Sequence, residues 1–124
     1  MCKVSNLTCM RMTAFTAYKV VRRDFTSSTS TSTFTSEHRP CERDNLGPKT
    51  RGTILVYRIG QTTIAPARSL GIFLYRKRPW GWKLSFSDIV LQVRIPAGTK
   101  LRRGLKRDQF TAYQVQVLGI ADWK

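Results

Sequence analysis

Apolar residues concentrate in four short runs in the second half of the chain, and turn-forming residues separate these runs. The runs span residues 53–59, 70–75, 88–95 and 110–118. Each is rich in β-branched or aromatic residues and has the length of a typical strand. The tripeptide Pro96-Ala97-Gly98 follows the third run, where proline removes a main-chain donor and glycine permits a turn. We therefore predict four strands in this half.

The spacing of apolar positions within the runs predicts which side chains face the core. The run 53–59 is almost entirely apolar, which favours a central strand covered on both faces. The runs 88–95 and 110–118 alternate between apolar and polar residues, as expected for a strand with one buried face. The predicted inward residues are Ile89, Leu91, Val93, Ile95, Tyr113, Val115 and Val117, and the predicted outward residues are Gln92, Arg94, Gln114 and Gln116.

The first half of the chain is less regular. We expect residues 1–12 to be an irregular lead-in, and residues 13–23 to form a first strand. Residues 26–52 are predicted to be a Ser/Thr-rich and polar excursion, and the Ser/Thr segment at its start suits either a flexible loop or an edge strand. Residues 99–109 could form a turn or two of helix.

Together these patterns predict a mainly β fold, with α+β as the alternative. We expect a single small mixed or antiparallel sheet with at most one or two short helices. Residues 13–124 would form one domain, because 124 residues suffice for one modest core.

The charge of the chain is strongly unbalanced. It has 22 Lys and Arg against 7 Asp and Glu, a formal net charge of +15. Residues 53–124 contain 13 basic and 3 acidic side chains and so carry ten of these charges. Such an excess favours an anionic partner, nucleic acid first and an anionic membrane surface second. The alternative is that the charge serves solubility alone.

Two basic clusters, at residues 76–83 and 100–107, fall at predicted turns. In the first, cations flank two tryptophans, a composition suited to stacking on unpaired bases while the cations contact phosphates. The tryptophans could instead lie at a membrane interface or cover the core. The predicted nucleic-acid-binding residues are Arg76, Lys77, Arg78, Trp80, Trp82, Lys83, Lys100, Arg102, Arg103, Lys106 and Arg107. We expect binding by charge rather than by base readout; the alternative is a protein adaptor that uses the tryptophan hairpin as an anchor.

Metal binding and secretion are not expected. Cys2, Cys9, His38 and Cys41 include no CxxC pair, and the first cysteine spacing is wider than in usual zinc sites. Reduced thiols in a cytoplasmic protein are the prediction. The first 25 residues lack the apolar segment of a secretory signal, and no run approaches the roughly 20 apolar residues that span a bilayer.

Catalysis is not expected either. His38 is not accompanied by a G-x-S-x-G nucleophile motif. Neither Gly71 nor Gly81 belongs to a Gly-rich phosphate loop. We predict a protein that is not an enzyme and needs no cofactor.

Several short motifs resemble a known group of proteins. In order they are YKVVR at residues 18–22, VYRIG at 56–60, GIFLY at 71–75, VLQVRIP at 90–96 and AYQVQVL at 112–118. This succession resembles small uncharacterised phage and bacterial proteins with the pattern YKVV, YRVG, GIFLF, VEVP and KVKVL. The resemblance implies one compact, phage-associated accessory domain, acting in the host cytoplasm if phage-encoded, and it implies no particular reaction.

A second resemblance concerns the end of the chain. IPAGTK at residues 95–100, followed by QVQVL at 114–118, is similar to the last strands of ADP-ribosyltransferases. That resemblance would give Arg22 or Arg23 the role of the first-strand basic residue and residues 30–32 that of the Ser-Thr-Ser motif. Gln114 and Gln116 stand where the catalytic glutamate belongs, and glutamine lacks the anionic charge that an oxocarbenium-like transition state requires. The resemblance therefore implies at most a degenerate domain without transferase activity.

Overall fold

The computed structural model describes residues 3–30, 32–34, 53–67, 69–79, 88–104 and 108–123, and every helix or strand element among them is a strand. The predicted mainly β class is confirmed. The strands are β1 (Lys3–Met10), β2 (Phe15–Arg22), β3 (Thr26–Ser28), β4 (Ser32–Phe34), β5 (Ile54–Val56), β6 (Thr62–Ile64), β7 (Ile72–Tyr75), β8 (Asp88–Ile95), β9 (Lys100–Gly104), β10 (Gln109–Ala112) and β11 (Gln114–Trp123). This part of the chain contains no helix long and apolar enough to cross a membrane.

Nine of the strands form one sheet in the order β4-β1-β9-β10-β7-β2-β8-β11-β6, and β3 pairs with β5 in a second sheet. Neighbouring strands are antiparallel except for the parallel pair β1–β4. The large sheet is therefore mixed, with a single parallel pair at one edge.

The core is built around β8, which pairs along its whole length with β2 and extensively with β11. The residues predicted to face inward in this strand are confirmed, and Val90 between them is buried as well. Ile89, Leu91, Val93 and Ile95 are all buried, whereas Arg94 is exposed. Strands β2, β7, β9, β10 and β11 add further buried apolar side chains to the same cluster. The bounds predicted at residues 13–23 and 70–75 correspond to β2 and β7.

The prediction of an irregular lead-in is wrong for residues 3–10, which form β1. This strand pairs with β9, from Met10 opposite Lys100 to Val4 opposite Gly104, with a register shift between Val4 and Thr8. Val4 is fully buried. Because the pairing partner lies almost 100 residues away in sequence, the local pattern of residues 1–12 carried no signal for it.

The prediction of a central strand at residues 53–59 is also wrong. Only Ile54–Val56 is a strand, and it pairs with the three-residue β3. Leu55 contacts the core, and Tyr57 just beyond is fully buried. Ile54, Val56 and Ile59 are exposed. One face of this segment packs on the core and the other does not, so its apolar composition did not indicate burial on both faces.

The run 110–118 is divided between two strands rather than forming one. β10 pairs with β9 and β7, whereas β11 pairs with β6 and β8. The change of partners occurs at Tyr113, whose main-chain carbonyl accepts a hydrogen bond from Ala65. Of the residues predicted to face inward here, Val115 and Val117 are fully buried and Tyr113 is half-buried.

The turn or two of helix expected at residues 99–109 is not formed at residues 100–104, which are β9; residues 105–107 lie outside the described residues. The turn before it is as predicted: Gly98 has a φ of 78°, and Thr99 donates from both its main-chain nitrogen and its hydroxyl to the Pro96 carbonyl. Pairing with β1 and β10 on either side then makes the following residues a strand.

Within the predicted excursion at residues 26–52, the described residues include two short strands, and Thr29 and Ser30 between them belong to neither. Thr26–Ser28 belongs to the small sheet, and Ser32–Phe34 lies at the edge of the large one. Of the two alternatives for the Ser/Thr segment, these residues adopt the edge strand. Residues 35–52 lie outside the described part of the chain.

Candidate nucleic-acid interface

Three adjacent strands, β9, β10 and β7, bring the described arginines of the two basic clusters close together. Phe110 of β10 stands opposite Arg103 of β9 on one side and Leu74 of β7 on the other. Cross-strand partners project from the same face of a sheet. The guanidinium group of Arg103 therefore projects on the face that contains the Phe110 ring.

Arg76 directly follows β7 and approaches the same ring. Its main-chain nitrogen donates to the carbonyl of Asp108 at 2.8 Å, which continues the hydrogen bonding of the β7–β10 pair by one residue. Its guanidinium carbon lies 5.8 Å from the centroid of the Phe110 ring. Phe110 is 3% exposed, so its ring positions the arginine and is not available for a base to stack on.

A cavity of about 310 Å³ lies where these elements meet. Both β9 arginines line it together with Arg76, although 26 residues separate Arg76 from Arg102 in sequence. Among the residues that the structure describes, none of those lining the cavity is acidic. The described lining residues are Cys9, Arg76, Leu101, Arg102, Arg103, Gln109 and Phe110.

Tyr113 organises the cations on the other face of β9. Its hydroxyl accepts a hydrogen bond from Arg102 Nε at 3.2 Å and donates to the carbonyl of Ser69 at 2.9 Å. Lys100 Nζ lies 5.8 Å from the centroid of the Tyr113 ring. Arg102 and Lys100 alternate with Leu101 and Arg103 along the strand, so the four side chains are divided between the two faces.

The structure thus brings part of the predicted site together. Arg76, Arg102 and Arg103 line one cavity, Lys100 lies beside them on β9, and Lys77 and Arg78 are exposed in the segment after β7. The remaining predicted residues lie outside the described residues; they are Trp80, Trp82, Lys83, Lys106 and Arg107.

Sequence analysis missed three residues of this site. Phe110 and Tyr113 were assigned to a strand but given no role toward the cations. The alternation of Gln109–Ala112, which places Phe110 on the buried face, was a usable signal for Phe110. Cys9 reaches the cavity through the pairing of β1 with β9, for which no local pattern exists.

The residues that the ADP-ribosyltransferase resemblance implies do not all converge. Arg22 stands opposite Asp88 and Gln116 opposite Arg94. Asp88 and Arg94 lie six residues apart toward opposite ends of β8, which is roughly 20 Å along a strand. Ser30 lies elsewhere, with its main-chain nitrogen donating to Gly71.

The candidate zinc ligands fall largely outside the described residues, which include only Cys9 of the four. Cys9 is an exposed free thiol. Over the described ranges there is no group of three or more His, Cys, Asp or Glu side chains that could hold a metal ion.

Comparison with known proteins adds no relative: no family model, curated protein or solved structure matches this chain. The two resemblances of the sequence therefore remain predictions.

Proposed function

We propose that this protein binds the backbone of nucleic acid through its basic face, without reading the base sequence. This basic face consists of Arg76 and Arg103 with the exposed cations Lys77 and Arg78. Arg102 also borders the cavity, but its side chain projects with Lys100 from the other face of β9. The observation that carries the proposal is the cavity that joins Arg76 to the β9 arginines, since none of the described residues that line it is acidic. In this proposal the protein acts as a small basic accessory protein in the cytoplasm.

Guanidinium groups suit this role. Arginine presents several N–H donors in a planar fork that matches two phosphate oxygens, and it remains charged at any physiological pH. The contact with Phe110 restricts Arg76, and the hydrogen bond to Tyr113 restricts Arg102. Because these side chains are already held in place, they lose less conformational entropy when the protein binds.

Salt dependence provides the direct test. A fluorescently labelled single-stranded oligonucleotide, titrated at several salt concentrations, should bind with log K falling linearly against log salt. If about six phosphates are contacted, the slope should be about −4 to −5. A duplex of the same sequence, titrated in parallel, shows whether unpaired bases contribute.

Variants locate the binding face. Arg76→Gln or Arg103→Gln should each lower the magnitude of the slope by about 0.7. Arg94→Gln is the matched control, because Arg94 is exposed on β8 and does not line the cavity. Trp80→Ala should cost about 1–3 kcal/mol of binding free energy if a base stacks on this tryptophan. Absence of binding at low salt, or equal effects of Arg94→Gln and Arg76→Gln, would contradict the proposal.

Protein docking is the second candidate function, and exposed apolar side chains favour it. Ile54, Val56, Ile59, Ile64 and Leu118 are all exposed, and such side chains contribute to interfaces when they lie together. An aromatic or aliphatic anchor responds weakly to salt, whereas counterion release responds strongly. Binding of a protein partner that is insensitive to salt, without oligonucleotide binding, would support the docking function.

A further inference from the structure

A second cavity lies at a discontinuity in the large sheet. Strands β2 and β7 are neighbours, yet they pair at a single position, Tyr18 opposite Tyr75. Residues 27–30 line the opening beside them and are attached to the start of β7. The main-chain nitrogen of Ser30 donates to Gly71, and its carbonyl accepts from Leu70. The cavity measures about 220 Å³.

The described lining of this cavity combines Lys19 with several hydroxyl groups. Ser27, Ser28, Thr29, Ser30 and Tyr75 contribute to it, and none of the described lining residues is acidic. Lys19 is 3% exposed, and its Nζ donates to the carbonyl of Phe73 at 2.9 Å. A buried ammonium places a full positive charge in a region of low dielectric constant, where its attraction for an anion is much stronger than in water.

Ser30 adds an observation that points to a ligand. Its side chain is 3% exposed, and its Oγ has no hydrogen-bond partner among the described residues. A buried hydroxyl without a partner is destabilising, and such a group calls for an explanation. A ligand oxygen bound in the cavity would provide the missing acceptor after a small side-chain rotation.

We propose that this cavity, hereafter the Lys19 cavity, binds a phosphate monoester group. Serine and threonine hydroxyls, a lysine ammonium and main-chain N–H groups are the usual contacts of phosphate oxygens. The volume is several times that of one water molecule, roughly 30 Å³ in the liquid, so a phosphate group fits with part of its ester. Free phosphate compounds and the terminal phosphate of a nucleic acid share this chemistry. Tyr75 lines this cavity, and the next residue, Arg76, lines the cavity of the basic face.

The first experiment titrates the full chain with inorganic phosphate while potassium chloride holds the ionic strength constant, and follows the melting temperature and the phosphorus NMR signal. Saturable binding is expected. Ser30→Ala should weaken it about two- to tenfold, the effect of one hydrogen bond, and Lys19→Met should weaken it at least tenfold. Thr16→Ala is the matched control, because Thr16 is exposed on the same strand as Lys19 and does not line the cavity.

Two outcomes would overturn the proposal. One is the absence of any saturable effect beyond that of chloride. The other is phosphate binding that Ser30→Ala leaves unchanged and Arg76→Gln abolishes, which would assign the anion to the basic face. If Lys19→Met does not fold, Ser30→Ala and Ser28→Ala still decide the question.

A second arm identifies the source of the phosphate. Oligonucleotides of one sequence, with either a 5′-phosphate or a 5′-hydroxyl, are compared on wild type and Ser30→Ala. A preference for the phosphorylated end that Ser30→Ala removes would support a nucleic-acid terminus as the ligand. Equal affinity for both ends, with inorganic phosphate still bound, would support a free phosphate compound. Because inorganic phosphate is tested separately, failure of oligonucleotide binding does not decide the Lys19 cavity.

Discussion

The side-chain ammonium of Lys19 donates a hydrogen bond to the main-chain carbonyl of Phe73 at 2.9 Å, across the interval where β2 and β7 cease to pair. The same Nζ lies 5.8 Å from the centroid of the Tyr57 ring. A side chain thus connects two strands that main-chain hydrogen bonds join at one position only. The buried lysine links the β8 half of the sheet to the β9–β10 half.

This link predicts a stability effect. Lys19→Met keeps most of the apolar stem but removes the donor to Phe73, and a lost bond to a charged donor costs about 1.5–3 kcal/mol. Removing a buried charge offsets part of that cost, so we expect the free energy of unfolding to fall by about 1–2 kcal/mol. Lys77→Met changes the same side chain at an exposed position and should stay within about 0.5 kcal/mol. Urea denaturation measures both. An unchanged midpoint for Lys19→Met would show that the bond contributes no net stability.

The spacing of apolar and polar residues predicted those strands that have one buried face and one more exposed face. In β8 the four residues predicted to face inward are buried, and the predicted bounds coincide with the observed ones. The turn after Ile95 was equally visible, because proline and glycine have fixed conformational preferences. β1 was not predicted, because its strand conformation comes from pairing with β9 and not from its own composition. The partner change at Tyr113 has the same origin.

The candidate site was predictable to a similar extent. The cations of both basic clusters could be identified from the sequence, because closely spaced arginines and lysines usually lie on the surface. The proximity of Arg76 to Arg103 depends on the order β7-β10-β9, which joins segments distant along the chain. Lys19 was assigned to a strand and given no role, since an isolated lysine in such a run normally faces solvent.

Two glycines with positive φ provide a matched pair for the second prediction. Gly71 and Gly98 have φ values of 99° and 78°. A Cβ at Gly71 would lie 3.1 Å from the carbonyl oxygen of Ala112 and from Thr111, whereas one at Gly98 would meet nothing within 4 Å. Gly98→Ala should therefore cost the conformational strain alone, about 1–2 kcal/mol. Gly71→Ala should cost clearly more, because its neighbours must also move. Thermal unfolding measures both; equal losses would mean that the close contact is relieved without cost.

The hydroxyl of Tyr113 supports the third prediction. It connects Arg102 to the carbonyl of Ser69, so Tyr113→Phe removes two hydrogen bonds without changing the ring. We expect the free energy of unfolding to fall by about 1–3 kcal/mol. Tyr18→Phe is the control, since the Tyr18 hydroxyl forms no hydrogen bond with another described residue. Equal denaturation midpoints for the two variants would contradict the prediction.

For Tyr57 we expect the opposite result, that removal of the hydroxyl does not lower the free energy of unfolding. Because this hydroxyl ionises, the difference in stability depends on pH. The side chain of Tyr57 is fully buried, and its hydroxyl has no hydrogen-bond partner among the described residues. Tyr57→Phe removes a buried polar group that lacks a partner, so at neutral pH the variant should be as stable as wild type or more stable. Burial also raises the pKa of Tyr57 well above its ordinary value of 10.0.

The sign of the alkaline effect follows from that direction. Above pH 10 the unfolded chain loses the Tyr57 proton while the folded chain retains it, so wild-type stability falls by up to about 1.4 kcal/mol per pH unit. Below pH 10 both states are protonated, and the group adds no pH dependence. Tyr57→Phe lacks this ionisation, so its advantage over wild type should grow as the pH rises from 10 through the raised pKa. Urea denaturation of both proteins between pH 8 and 12 measures the difference. Parallel curves would show that the folded protein opens enough to ionise Tyr57 at its ordinary pKa.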